Sequence, residues 1–104
     1  MTSILPPDQC RTMSDVRAGV DATDRALGEL LATRFGYMRA AARIKPERSH
    51  VRDEPRKAQV IANAVAQARD NGWPPEAAAE LWEVLVEASI AYELDRFDEA
   101  RVRT

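Results

Sequence analysis

The stretch from Ser14 to Lys45 holds no proline and keeps helical spacing throughout, so it reads as one unbroken helix of about 30 residues. At a rise of about 1.5 Å per residue the rod is roughly 45 Å long. A compact chain of this length has a radius of gyration near ~13 Å. The rod is therefore too long for its own chain to wrap. The simplest cover is a second copy of the same chain.

Two basic residues on the rod sharpen this expectation. Arg17 and Arg34 stand seventeen positions apart, hence roughly 25 Å along the axis and about 100° apart around it. One copy cannot bring both to the same small ligand. In an antiparallel pair, Arg17 of one copy can approach Arg34 of the other and form an anion site shared between subunits. The alternative is that both are solvated.

The chain has 104 residues, enough for a single domain over 1–104 with a modest core. Its net charge of −2 argues against a general nucleic-acid binder. Thirteen arginines stand against two lysines. Arginine suits bidentate capture of carboxylates and phosphates, although a compositional bias of the source genome gives the same skew. Cys10 is the only cysteine, which excludes an intramolecular disulfide and a cysteine metal site. His50 is the only histidine and lies in a polar loop without a serine elbow nearby, so neither a histidine metal cluster nor a Ser–His–Asp site is expected. The first residues carry neither a basic n-region nor a long apolar run. No segment reaches the roughly 20 apolar residues of a membrane span, and the expected location is the cytoplasm.

Residues 1–13, with Pro6-Pro7, form an irregular arm. Ser14 is the expected N-cap of the first helix, with Asp15 set against the helix dipole. Val16, Val20, Leu27, Leu30, Leu31, Phe35, Met38 and Ala42 recur largely at three- and four-residue steps. Gly19, Gly28 and Gly36 weaken the helix by about 1 kcal/mol each relative to Ala and could admit another helix closely. Lys45-Pro46 ends the rod. Asp53 is placed to cap a second helix, with Pro55 in its first turn. That helix runs to about Arg69, buries Val60, Ile61, Ala64, Val65 and Ala68, and stops at Asn71-Gly72. A third helix starts at Trp73-Pro74-Pro75-Glu76. Its inner stripe is Ala78, Trp82, Leu85, Val86, Ser89, Glu93 and Phe97. Ser89 and Glu93 share a face, and both are polar where the stripe is otherwise apolar. No stretch alternates with period two. The expected fold class is all-α: three helices, long–medium–long.

Several segments in this order resemble the all-helical chorismate mutase family, which includes the isochorismate–pyruvate lyases. They are Asp15-Val16-Arg17 with Val20-Asp21, Leu30 to Arg34, Ala41 to Lys45, Val51 to Arg56, and the Ser89…Glu93 pair. The likeness covers roughly residues 14–100. It implies an intertwined homodimer with two shared active sites. Each would take Arg17 from one subunit and Arg34, Lys45, Asp53, Arg56, Ser89 and Glu93 from the other. It implies a small-molecule substrate, no cofactor, no nucleic acid and no membrane.

The implied reaction converts chorismate to prephenate in one pericyclic step, without nucleophile or metal. The protein must fold the enol-ether side chain over the ring and stabilise charge on the ether oxygen as the C–O bond breaks. By resemblance, Arg17, Arg34 and Arg56 would clamp the carboxylates. Lys45 would touch a carboxylate and the ether oxygen, with Glu93 as the second ether donor. Many relatives carry Gln at that position. A carboxylate cannot donate, so Glu93 must carry a proton to fill the role. Lys57 replaces a glutamate that touches the substrate hydroxyl in several mutases. It is expected to face solvent and leave the hydroxyl to Asp53.

Asp53, Arg56 and Ser89 look mutase-like, whereas the Pro7-Asp8-Gln9-Cys10 arm, Tyr37 to Ala41 and Ile90-Ala91 look lyase-like. The loop from Lys45 to Asp53 is compatible with closing over the site. Mutase is the favoured reading. The alternatives are a lyase that expels pyruvate from isochorismate, an enzyme acting on an amino-substituted chorismate, or a helical dimer without catalysis.

Overall fold

The computed structural model describes residues 4–102. A 3-10 turn at Pro7–Gln9 leads to helix α1, Met13–Ile44. A second 3-10 turn, Arg48–His50, precedes α2, Glu54–Asn71, and α3, Pro75–Arg101. No strand occurs among the described residues. The fold is all-α with three helices, long–medium–long as expected. It divides into two compact units, one ending at Gly36 and the other beginning at Tyr37.

In the first unit the arm is not wholly irregular. Gln9 N–H donates to the Pro6 carbonyl at 3.0 Å and closes the Pro7–Gln9 turn. The cap of α1 is Thr12 rather than Ser14. Asp15 N–H donates to the Thr12 hydroxyl at 3.1 Å, and the Asp15 carboxylate accepts from the N–H groups of Arg11 and Thr12 at 3.0 and 3.2 Å. This reciprocal exchange satisfies donors that a helix start leaves orphaned. The same two N–H groups, Arg11 first, hold the Asp15 carboxyl below the usual range. Val16, Val20, Leu27, Leu30 and Leu31 are spaced for burial yet exposed, Leu30 at 66%. A Cβ at Gly28 would meet nothing within 4 Å.

The second unit holds the core. α2 is capped by Asp53, whose carboxylate accepts from Arg56 N–H at 3.0 Å, with Pro55 in the first turn. It ends in a Schellman arrangement: Gly72 at φ 77°, Trp73 N–H bonded to the Ala68 carbonyl, and Gly72 N–H to that of Arg69. Ala64 and Ala68 of α2 pack with Ala78 of α3, and Val65, Trp73 and Trp82 close around them. Small side chains at this contact let the two helices approach closely. A second cluster joins Ala42 of α1 and Val51 of the connection to Val86, Ile90 and Phe97 of α3. Trp82 packs against both clusters. Burial along α3 follows the expected stripe closely, with Ile90 added and Trp82 and Leu85 only half-buried. No large side chain among the described residues is completely buried.

Candidate active site

The helix ladder of α1 stops at Ile44, one residue earlier than expected, but Lys45 N–H still donates to the Ala41 carbonyl at 2.9 Å. Pro46 follows. It lacks an N–H and disfavours helical geometry in the residue before it. Lys45 therefore stands at the lip of the helix with its long side chain free to turn toward α3. Its Nζ lies 2.7 Å from Glu93 Oε2.

Glu93 is only 4% exposed, in a stripe that also buries Val86, Ile90 and Phe97. A carboxylate in such a place needs a cation and hydrogen bonds. The ammonium supplies the charge, but it approaches off the hydrogen-bonding direction, so Oε2 accepts no hydrogen bond. An under-satisfied buried carboxylate beside a lysine retains capacity for a further polar partner. Ser89, one turn earlier and equally buried, donates its hydroxyl to the Leu85 carbonyl at 2.7 Å. The two polar residues that broke the apolar pattern of α3 thus lie on one buried face, with Lys45 opposite Glu93.

Asp53 and Arg56 meet at the start of α2 through the cap. The Arg56 guanidinium donates to Gln59 one turn on, at 2.7 Å. Arg17 and Arg34 belong to the first unit, Arg17 exposed and Arg34 half-buried on α1. Lys57 departs from expectation. It does not face solvent: its Nζ lies 2.7 Å from Glu83 and 2.8 Å from Glu87, and its side chain is only 18% exposed. Glu87 stands about 120° round α3 from Glu93, so Lys57 is committed to a different face. Its ammonium is held above its ordinary pKa, chiefly by the hydrogen bond to Glu83 and then by Glu87.

The connection after Lys45 is tied to α3 at several points. Arg48 donates to both oxygens of Asp98, at 3.0 and 3.4 Å. Val51 is buried, and Arg52 forms a fork with both Glu87 oxygens at 3.0 and 2.7 Å. Arg52 first, then Lys57, pulls the Glu87 carboxyl down to about 2. This network was not singled out from sequence, because the facing of α2 and α3 had to be known first.

The first unit also holds an apolar cavity of about 650 Å³ between the arm and α1, lined by Leu5, Pro6, Val16 and Val20 among others. Among the described residues Asp24 is the one charged residue in its wall, and it would repel a dianion. Lys45 and Glu93 are not among its lining residues. Among the described residues no group of three His, Cys, Asp or Glu side chains gathers to hold a metal, and no helix is long and apolar enough to cross a membrane.

The chain is thus an all-helical protein with a cation held against a buried carboxylate on the face of its last helix. Residues 16–94, well over half its length, match the family described as chorismate mutase type II, and the chain belongs to that family. A comparison with curated proteins finds no match.

Proposed function

We propose that this chain is a chorismate mutase, converting chorismate to prephenate with its own side chains and no cofactor. The observation that carries the reading is the Lys45–Glu93 contact at 2.7 Å on a buried face, in a chain of this family. In the reaction the ether C–O bond breaks as a C–C bond forms to the ring. Negative charge gathers on the ether oxygen in the transition state. Lys45 meets that charge, and a protonated Glu93 donates a hydrogen bond to the same oxygen. Arg34 and Arg56, with Lys45, hold the two carboxylates, while Asp53 and Ser89 complete the polar wall. Such preorganised donors are not reorganised at the moment of reaction.

The site is completed by Arg17 from a second copy in an intertwined homodimer, and the two compact units act together as one domain. Two observations support this. Arg17 and Arg34 lie too far apart on one helix to serve one substrate. The apolar row of α1 from Val16 to Leu31 is exposed in the single chain.

Turnover of chorismate and of isochorismate, measured side by side at about pH 5 and about pH 7.5, tests the reading. Prephenate formed far more efficiently than any pyruvate is the expected result. More efficient release of pyruvate and salicylate from isochorismate would assign the chain to the lyase branch. No turnover of either would reject an enzymatic role on these substrates.

A further inference from the structure

The last residue of α3, Arg101, reaches off its own helix to the end of α1. One guanidinium nitrogen donates to the Ala42 carbonyl at 2.8 Å, and the other to the Lys45 carbonyl at 2.7 Å. The guanidinium carbon lies 3.5 Å from the centroid of the Phe97 ring.

The two carbonyls are orphans for separate reasons. Ala42 is buried, and its carbonyl would ordinarily accept from the residue four further on, which is Pro46 and has no N–H. The Lys45 carbonyl has lost its partner because the chain leaves the helix there. Arg101 supplies both missing donors with one rigid fork. Lys45 is thereby fixed at both ends of its backbone, its N–H bonded to Ala41 and its carbonyl to Arg101. From that fixed residue the side chain delivers its ammonium to Glu93. Glu93, Phe97 and Arg101 follow one another at four-residue steps on α3. One helix face therefore receives the ammonium of Lys45 and also grips the backbone from which it hangs.

We propose that Arg101 is a positioning residue for Lys45. Its two-carbonyl grip sets where the ammonium stands over Glu93, and with it the rate of the chemical step. The proposal rests on the reading of Lys45 as a substrate-contacting cation. Lysine at position 101 cannot reproduce the grip, since its single ammonium lacks the planar fork and the stacking on Phe97.

The test is a double-mutant cycle on the full-length protein, following chorismate turnover for wild type, Lys45→Ala, Arg101→Gln and Arg101→Lys. Arg101→Gln is also made in the Lys45→Ala background. Circular dichroism and size-exclusion chromatography check each variant. We expect Arg101→Gln and Arg101→Lys each to lower kcat about tenfold or more. In the Lys45→Ala background the same Arg101→Gln change should cost less than about twofold. Equal losses in both backgrounds would overturn the proposal, because they would mark a role in stability alone, as would wild-type kcat in the Arg101 variants. If Arg101→Gln does not fold, kcat of Arg101→Lys decides. Failure of the underlying reading looks different: wild type would not turn over chorismate, or Lys45→Ala would match it.

Discussion

At the scale of single residues, the proposed site turns on Glu93, a buried carboxylate 2.7 Å from the Lys45 ammonium. If Glu93 donates to the ether oxygen, it does so only in its protonated form. Glu93→Gln, whose amide donates whatever the pH, should then leave kcat/KM less dependent on pH than in wild type. A flat wild-type profile that Glu93→Gln leaves unchanged would exclude the donor role. Lys45→Ala should lower kcat by about 10²–10³, the range for removal of a preorganised donor to a developing oxyanion. Ser89 and Glu93 were legible in the sequence because two polar side chains four apart interrupted an apolar stripe. The cap at Thr12 was missed in favour of Ser14, although Asp15 stands three residues after Thr12, the spacing of a reciprocal cap. Arg101 was not. The two α1-end carbonyls that it grips are 56 and 59 positions away, and no side-chain pattern records them.

Among the elements, α2 and α3 were readable from their apolar faces and stop signals, and Gly72 adopts the left-handed geometry that Asn71-Gly72 announced. The pairing of Lys57 was not readable, because Glu83 and Glu87 become its neighbours only once the two helices face each other. This ionic patch has a consequence for acid stability. The Glu87 carboxyl is lowered from 4.5 to about 2 in the folded chain, by Arg52 first and Lys57 second. A group depressed on folding contributes stability that is complete above its unfolded pKa and fades as pH falls through the folded one. Wild type should therefore melt above Glu87→Gln near neutrality, and the gap should close between about pH 4.5 and about pH 2. Thermal melts of both proteins across that range check it. A gap that stays constant would mean that Glu87 is ionised equally readily in the folded and unfolded chains. The same patch anchors the connection from Lys45 to Asp53 to α3, so any closing movement over the site must break the fork between Arg52 and Glu87 or move α3 with it.

For the whole molecule, the decisive question is whether two copies share each site. If they do, one site of an Arg17→Ala/Arg34→Ala heterodimer carries both lesions and the other carries neither. Random exchange between the two inactive homodimers should restore about a quarter of the wild-type sites, and a purified heterodimer about half. No recovery in a verified heterodimer would refute the shared site. The length of α1 was legible in the sequence, and so was the helical spacing of its apolar row. The row from Val16 to Leu31, spaced for burial but left open to water in one chain, has a kinetic consequence as well. If a second copy is what closes that row, the final step of folding is an encounter. Refolding from denaturant should then show a phase whose rate rises in proportion to protein concentration, while α2 and α3 form at a rate indifferent to it. Activity recovered after dilution from urea should lag behind helix content, and the lag should shorten as more protein is present.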